Sequence, residues 1–302
     1  MITDRFILPV NYVSDALESK INLMTKKYTF LRKKSIGKSV LGKEISALAL
    51  GDPQSYSLYA AAFHGSEHIT SNVIMMWLED LCEAVQNDTP IGGINIRKAL
   101  FGRGVMIIPR INPDGCDISV LGAAACGEKA WEIERMTAGD FKRYNANFRG
   151  VDINHNFDAG WKELRDKERK MGILGPSPGR FGGFSPESEP ETAALCDLCR
   201  NNNIRQVFAI HSQGRVIYWS YGKRRPGRSR RIAELMSTES GYALDYPISI
   251  ADGGGFKDWF IEKFDRPGFT IEIGKGQNPL PVDSAKDIYD EVKKMLTLST
   301  IL

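Results

Sequence analysis

The chain has 302 residues, 42% of them hydrophobic and 25% charged, enough apolar material for one large core or two modest ones. Forty basic against 37 acidic side chains leave +3, too near neutral for charge alone to carry nucleic-acid binding. No run approaches the roughly 18 apolar residues of a membrane span, and the first residues lack the pattern of an export signal, so a soluble cytoplasmic protein without membrane partners is expected.

Along the chain, about the first 35 residues read as a helical lead-in. "SLYAAAF" (57–63) is a short apolar run, "TSNVIMMWLEDLCEAV" (70–85) has helical periodicity, and "GVMIIP" (104–109) is short and apolar again. Further short runs are "RGVDIN" (149–154), "QVFAI" (206–210) and "GFTIEI" (268–273), separated by helical stretches near 190–202, 229–240, 255–264 and 284–296. Strands alternating with helices predict an α/β sheet covered on both faces, and no Pro/Gly/Ser linker divides residues 1–302, so a single domain is expected. Two long connections, 116–148 and the Gly/Pro-rich 171–187, are placed to shape a site. Five scattered cysteines fit a reducing compartment, and Cys196 and Cys199, three apart on an amphipathic helix, read as core residues. The basic run "KRRPGRSRR" (223–231) reads as a solvated loop entering a helix.

The chemistry concentrates in "FHGSEH" (63–68). Literally, His64 to His68 fits H-x-x-E-H, in which both histidines bind zinc from one helical face. An apolar strand runs directly into His64, however, and Gly65 and Ser66 suit a turn better than a helix interior. On a strand-to-helix turn His64 and Glu67 can converge on one ion while His68 points elsewhere. A third ligand must come from His155 or His211, and His211 ends the run "QVFAI", at the strand edge where α/β sheets place ligands. Two imidazoles, one carboxylate and an open position make a recurring catalytic zinc shell, one ion per chain.

Together with "INPDG" (111–115), "GVDINHNFDAGW" (150–161), "SEPET" (188–192) and "FTIEIG" (269–274), these residues make the chain resemble the M14 zinc carboxypeptidase family over most of its length. The resemblance implies a mixed, mostly parallel twisted sheet with helices on both faces, zinc on His64, Glu67 and His211, and Glu272 as the catalytic glutamate. Glu67 is then the ligand and His68 the odd one out. A glutamate in the middle of an apolar strand suits a proton-transfer role, taking a proton from the zinc-activated water and returning it to the leaving amine.

"IGKSVLGKEISALALG" (36–51), "HSQGRVIYW" (211–219), "GGGFKDWFIEKFDRPGFTIEIG" (253–274) and "NPLP" (278–281) look most like the bacterial branch that cleaves the γ-D-glutamyl to meso-diaminopimelate bond of cell-wall peptides. A small muropeptide is therefore the expected partner. Asn154 and His155 stand where the digestive enzymes carry Asn-Arg, and lack of that guanidinium argues against strict carboxypeptidase action on ordinary peptides. Asn145 occupies the place of the family's oxyanion cation, for which Arg143 is the nearest substitute, and Ile250 occupies that of a family tyrosine, for which Tyr246 or Tyr242 are the candidates. Arg215 is the cation nearest the metal in sequence, and Lys257 and Asp258 either face the pocket or begin a solvated helix. Alternatives of other classes are a catalytically weakened muropeptide-binding protein and a carboxypeptidase or amidohydrolase acting on another γ-glutamyl conjugate.

Overall fold

The computed structural model describes residues 5–245 and 253–302. Its strands are β1 (Arg32–Lys38), β2 (Glu44–Gly51), β3 (Tyr56–Ala61), the two-residue pair β4 (Pro90–Ile91) and β5 (Ile94–Asn95), β6 (Gly104–Ile108), β7 (Ile204–His211), β8 (Val216–Tyr218), β9 (Ala243–Asp245) and β10 (Gly268–Glu272). Eight of them form one sheet in the order β1-β2-β6-β3-β7-β10-β8-β9. The central four, β6, β3, β7 and β10, are mutually parallel, and antiparallel partners flank them. The sheet is therefore mixed and mostly parallel at its centre, as expected.

The helices are α1 (Ser14–Lys27), α2 (Ile69–Asn87), α3 (Ile96–Ala99), α4 (Pro113–Leu121), α5 (Ala130–Thr137), α6 (Trp161–Lys170), α7 (Pro190–Asn201), α8 (Ser229–Ser240), α9 (Phe256–Phe264) and α10 (Ala285–Ser299). One face of the sheet packs on α1, α2, α8 and α10 through residues such as Leu17, Trp77, Met236 and Val292. The other packs on α7 and α9 through Leu195, Phe256, Trp259 and Phe260. β3 is buried along its whole length, because it lies in mid-sheet under helices on both sides. Cys196 and Cys199 belong to that second core, where burial pushes both thiols up and leaves them unreactive, in line with the core reading.

Two sequence expectations change. The lead-in is not wholly helical: α1 ends at Lys27 and β1 begins at Arg32 as the sheet's edge. "RKKSIGK" is mostly exposed and polar, so apolar periodicity misses it, and its lysines suit an edge strand that must not pair with another chain. "RGVDIN" is no strand either, since Ile153–His155 forms a 3₁₀ turn. The Asp152 side chain accepts from Asn154 N at 3.1 Å and Arg180 N at 2.9 Å, which gives the backbone an alternative to a sheet ladder. The run 223–231 is exposed except at Pro226 and Ser229, with α8 starting at Ser229, as the solvated reading has it.

Candidate metal centre and active site

β3 delivers the chain to His64 in extended conformation (φ −101°, ψ 138°), a single 3₁₀ turn covers Gly65–Glu67, and α2 starts at Ile69. His64 and Glu67 thus sit on a turn, and their side chains meet: His64 Nδ1 lies 2.8 Å from Glu67 Oε1. Glycine at 65 is a packing requirement, since a Cβ there would lie 2.3 Å from the Gly115 carbonyl oxygen and 2.5 Å from that of Tyr144. Asn112 of "INPDG" holds the same junction. Its Oδ1 accepts from Gly115 N to cap α4, and its Nδ2 donates to the carbonyl oxygens of Phe63 and Ala146 at 2.9 and 3.1 Å. "SEPET" braces the opposite side: Glu189 Oε2 and Glu191 Oε2 accept from Asn147 Nδ2, at 2.7 and 3.1 Å. These motifs carry no chemistry of their own; they hold the turn that does.

His211 ends β7, and its Nδ1 lies 3.1 Å from Glu67 Oε2. The ligand atoms of His64, Glu67 and His211 all fall within 4.8 Å of one another. Burial pushes the Glu67 carboxyl up, but the two imidazoles outweigh it and hold it down to about 2. His64 faces carboxylates with both ring nitrogens, because Asp152 Oδ1 lies 3.1 Å from Nε2. Burial opposes charge on His64, yet Glu67 and Asp152 prevail and raise it well above its usual value. This donor set fits zinc: Nε2–H donates to Asp152, which leaves the Nδ1 lone pair aimed into the cluster beside Glu67 and His211 Nδ1. Asp152, missed as a functional residue although "GVDIN" was singled out, is therefore a positioning residue for His64. Asp152→Asn is expected to weaken zinc affinity by about 10-fold to 100-fold, measured by competition with a chelating dye.

Glu272 ends β10, the parallel neighbour of β7, in register with His211. The register brings the carboxyl to the metal cluster with no loop in between. Burial and then the charge of Glu67 push it up to about 8, against the opposing effect of His64. A divalent cation on the cluster would pull it back toward the ionised form needed of a base.

The cluster opens on a cavity of about 150 Å³, whose lining includes His64, His211 and Glu272 together with Asn154, His155, Tyr218, Lys257 and Asp258. Lys257 and Asp258 are buried at the start of α9, so the solvated alternative is wrong for both. Lys257 Nζ donates to the Ser220 carbonyl oxygen at 2.6 Å and pairs with Asp258, whose Oδ2 accepts from Gly253 N at 3.1 Å. Tyr218 was also missed, and the only signal for it was its place in the apolar run after His211.

Two candidates do not join the lining. Arg215 is half exposed and pairs with Glu291 on α10, and Arg143 is exposed on the segment after α5. Asn145 packs beside the metal turn, its Oδ1 accepting from Ser66 Oγ at 2.5 Å. Tyr242 is buried, with its hydroxyl on Glu291 Oε2 and Gly274 N, away from the cavity. Ile250 and Tyr246 lie outside the described residues.

His68 is buried and does not ligate. Burial first and the Arg110 charge second lower it from 6.5 to about 4. Between those values the unfolded chain binds a proton that the folded chain refuses, so stability falls as pH falls through the window. His68→Gln should remove this slope, leaving the metal-free variant to lose about 2 kcal/mol less than metal-free wild type between about pH 7 and pH 5 in urea unfolding.

The zinc carboxypeptidase family model matches residues 17–296. A γ-D-glutamyl-L-diamino acid endopeptidase of Lysinibacillus sphaericus is 36% identical over 93% of this chain and 70% of its own length. Among solved structures, carboxypeptidase A of Helicoverpa armigera superposes with a TM-score of 0.73 at 17% identity, over 98% of this chain and 74% of that one. The murein-tripeptide amidase MpaA of Escherichia coli O157 superposes with a TM-score of 0.51 at 21% identity, over 89% of each chain. With both histidines, the glutamate between them in the site and a model match over nearly its whole length, the chain belongs to the zinc carboxypeptidase family of metallopeptidases.

Proposed function

We propose that the protein hydrolyses the amide bond between a γ-D-glutamyl residue and a diamino acid in soluble cell-wall peptides. The observation that carries this substrate class is the buried Lys257–Asp258 pair on the wall of the same cavity as the metal cluster and Glu272. A diamino acid such as meso-diaminopimelate ends in an ammonium and a carboxylate, and a fixed cation beside a fixed anion answers both without leaving a buried charge uncompensated. The likeness to an endopeptidase acting on γ-D-glutamyl-L-diamino acids supports the same reading.

Zinc held by His64, Glu67 and His211 supplies a Lewis acid for the scissile carbonyl and acidifies a water. Asp152 keeps His64 in the ligating tautomer. Glu272 Oε accepts the water's proton and gives it to the departing amine, so the base and the acid of the two half-steps are one carboxyl. Asn154 and His155, both in the cavity lining, hold the substrate backbone. No helix among the described residues is long and apolar enough to cross a membrane, and in this reading the enzyme works on muropeptides in the cytoplasm.

Mass spectrometry of L-Ala-γ-D-Glu-meso-diaminopimelate incubated with zinc-loaded protein tests the reading. Release of free diaminopimelate is the expected result. An intact tripeptide over zinc-replete protein would transfer the assignment to a different conjugate or to a binding role.

A further inference from the structure

The stretch "NPLP" (278–281) takes no part in the chemistry described so far, yet its first residue reaches the metal ligand Glu67. Leu280 anchors the stretch, because its side chain is buried in the core that includes Ile288 of α10. Glycine is required at 274 for the same packing, since a Cβ there would lie 2.8 Å from Ile288 Cδ1 and 2.9 Å from Leu280 Cδ1. Gly214 N donates to the Gly274 carbonyl oxygen at 3.0 Å, and Gly276 N to Gln213 Oε1 at 3.3 Å. The segment after Glu272 is thereby lashed to the segment after His211.

The half-buried amide of Asn278 has one orientation open to it. Nδ2 lies 2.6 Å from the Ser212 carbonyl oxygen, and Oδ1 lies 2.9 Å from Ser212 Oγ. A carbonyl oxygen only accepts, so the nitrogen must face it and the hydroxyl must donate to Oδ1. The same nitrogen has a second hydrogen, and it lies 3.4 Å from Glu67 Oε1. Ser212 covers the other oxygen, its backbone N–H donating to Glu67 Oε2 at 3.2 Å. Each oxygen of one buried carboxylate thus meets one N–H, and the two donors are tied to each other by two further hydrogen bonds.

The other hydrogen-bonding groups that face this carboxylate among the described residues are His64 Nδ1 and His211 Nδ1. Nitrogens that give their lone pairs to a metal cannot donate to Glu67, which leaves Ser212 and Asn278 to aim it. A ligand already held at both oxygens loses less freedom when the ion arrives.

We propose that Asn278 is a positioning residue of the metal centre, holding Glu67 in its ligating orientation both directly and through the backbone N–H of Ser212. The proposal rests on zinc binding at His64, Glu67 and His211 and is independent of the substrate.

Two readouts without turnover test it. Competition with a chelating dye should show zinc held about 10-fold more weakly by Asn278→Ala, the low end of what the partner of a metal ligand is worth. A weakening of less than about 3-fold, within reach of any lost hydrogen bond, would overturn the proposal. The second readout is the visible spectrum of protein loaded with cobalt(II) in place of zinc, whose bands follow the number and arrangement of the ligands. A residue that merely braced the loop would leave those bands where they are. Here Asn278→Ala should move them, and Ser212→Ala, which frees the amide oxygen but keeps both N–H donors, should move them less. Unchanged bands in Asn278→Ala, or in Ser212→Ala should the first variant fail to fold, would sink the idea. Absent hydrolysis of cell-wall peptides would count against the proposed substrate and would leave both comparisons intact.

Discussion

Glu272→Gln is expected to keep one zinc per chain and to lose about 10²-fold to 10⁴-fold in kcat, with KM little changed, the range typical of removing a general acid or base. Glutamine has the same shape and keeps a carbonyl oxygen at the mouth of the metal cluster, but it cannot take up a proton. The register of β10 against β7 holds position 272 beside His211 whichever residue is there, so geometry survives the change. Metal analysis and steady-state kinetics on one preparation separate the alternatives. A variant retaining most of the rate would move the proton transfer elsewhere in the cavity, with Tyr218 the next group to examine. A variant that loses zinc would instead make Glu272 part of the metal's support.

The second large effect belongs to Glu67. Its carboxylate faces both imidazoles and also accepts from Ser212 N at 3.2 Å, so Glu67→Ala removes a ligand and strips a partner from a buried backbone donor. Zinc affinity should fall by more than the roughly 100-fold that an outer partner is worth, and hydrolysis should disappear. Linkage supplies a second readout. In the wild type, free zinc at about 100 times its dissociation constant should raise folding stability by about 2.7 kcal/mol, whereas the variant at the same concentration should gain almost nothing. Removing zinc from the wild type with a chelator should copy the loss of activity and be reversed by one equivalent of metal. If Glu67→Ala still binds zinc stoichiometrically, the ligand set must be redrawn, with His68 as the first alternative to test.

Zinc chemistry was legible in the chain because its parts are local or end on strands. Gly65 and Ser66 mark a turn rather than a helix, which assigns Glu67 to the metal and excludes His68, and the structure agrees. The apolar runs into His64, His211 and Glu272 reveal strands whose carboxyl ends carry chemistry, and a parallel sheet aligns such ends along one edge. Periodicity and turn preference locate those strands and that turn, while the resemblance to the zinc carboxypeptidases is what singles out Glu67 and Glu272 on them.

What the tertiary structure alone decided is everything set by side chains arriving from distant elements. Arg215 is four residues from His211 in sequence, yet it turns to Glu291 on α10, while Lys257 and Asp258, some forty-five residues further on, line the cavity. The basic edge strand β1 and the 3₁₀ turn at Ile153–His155 were invisible because neither buries an apolar stripe. The partners of His155 Nδ1 are Glu168, thirteen residues away on α6, and the Arg180 carbonyl oxygen in an irregular loop. Sequence gives the kind of group at each position and the element that carries it. The direction of a buried polar side chain is chosen by whichever partners satisfy its hydrogen bonds, and those partners are known only once the chain has packed.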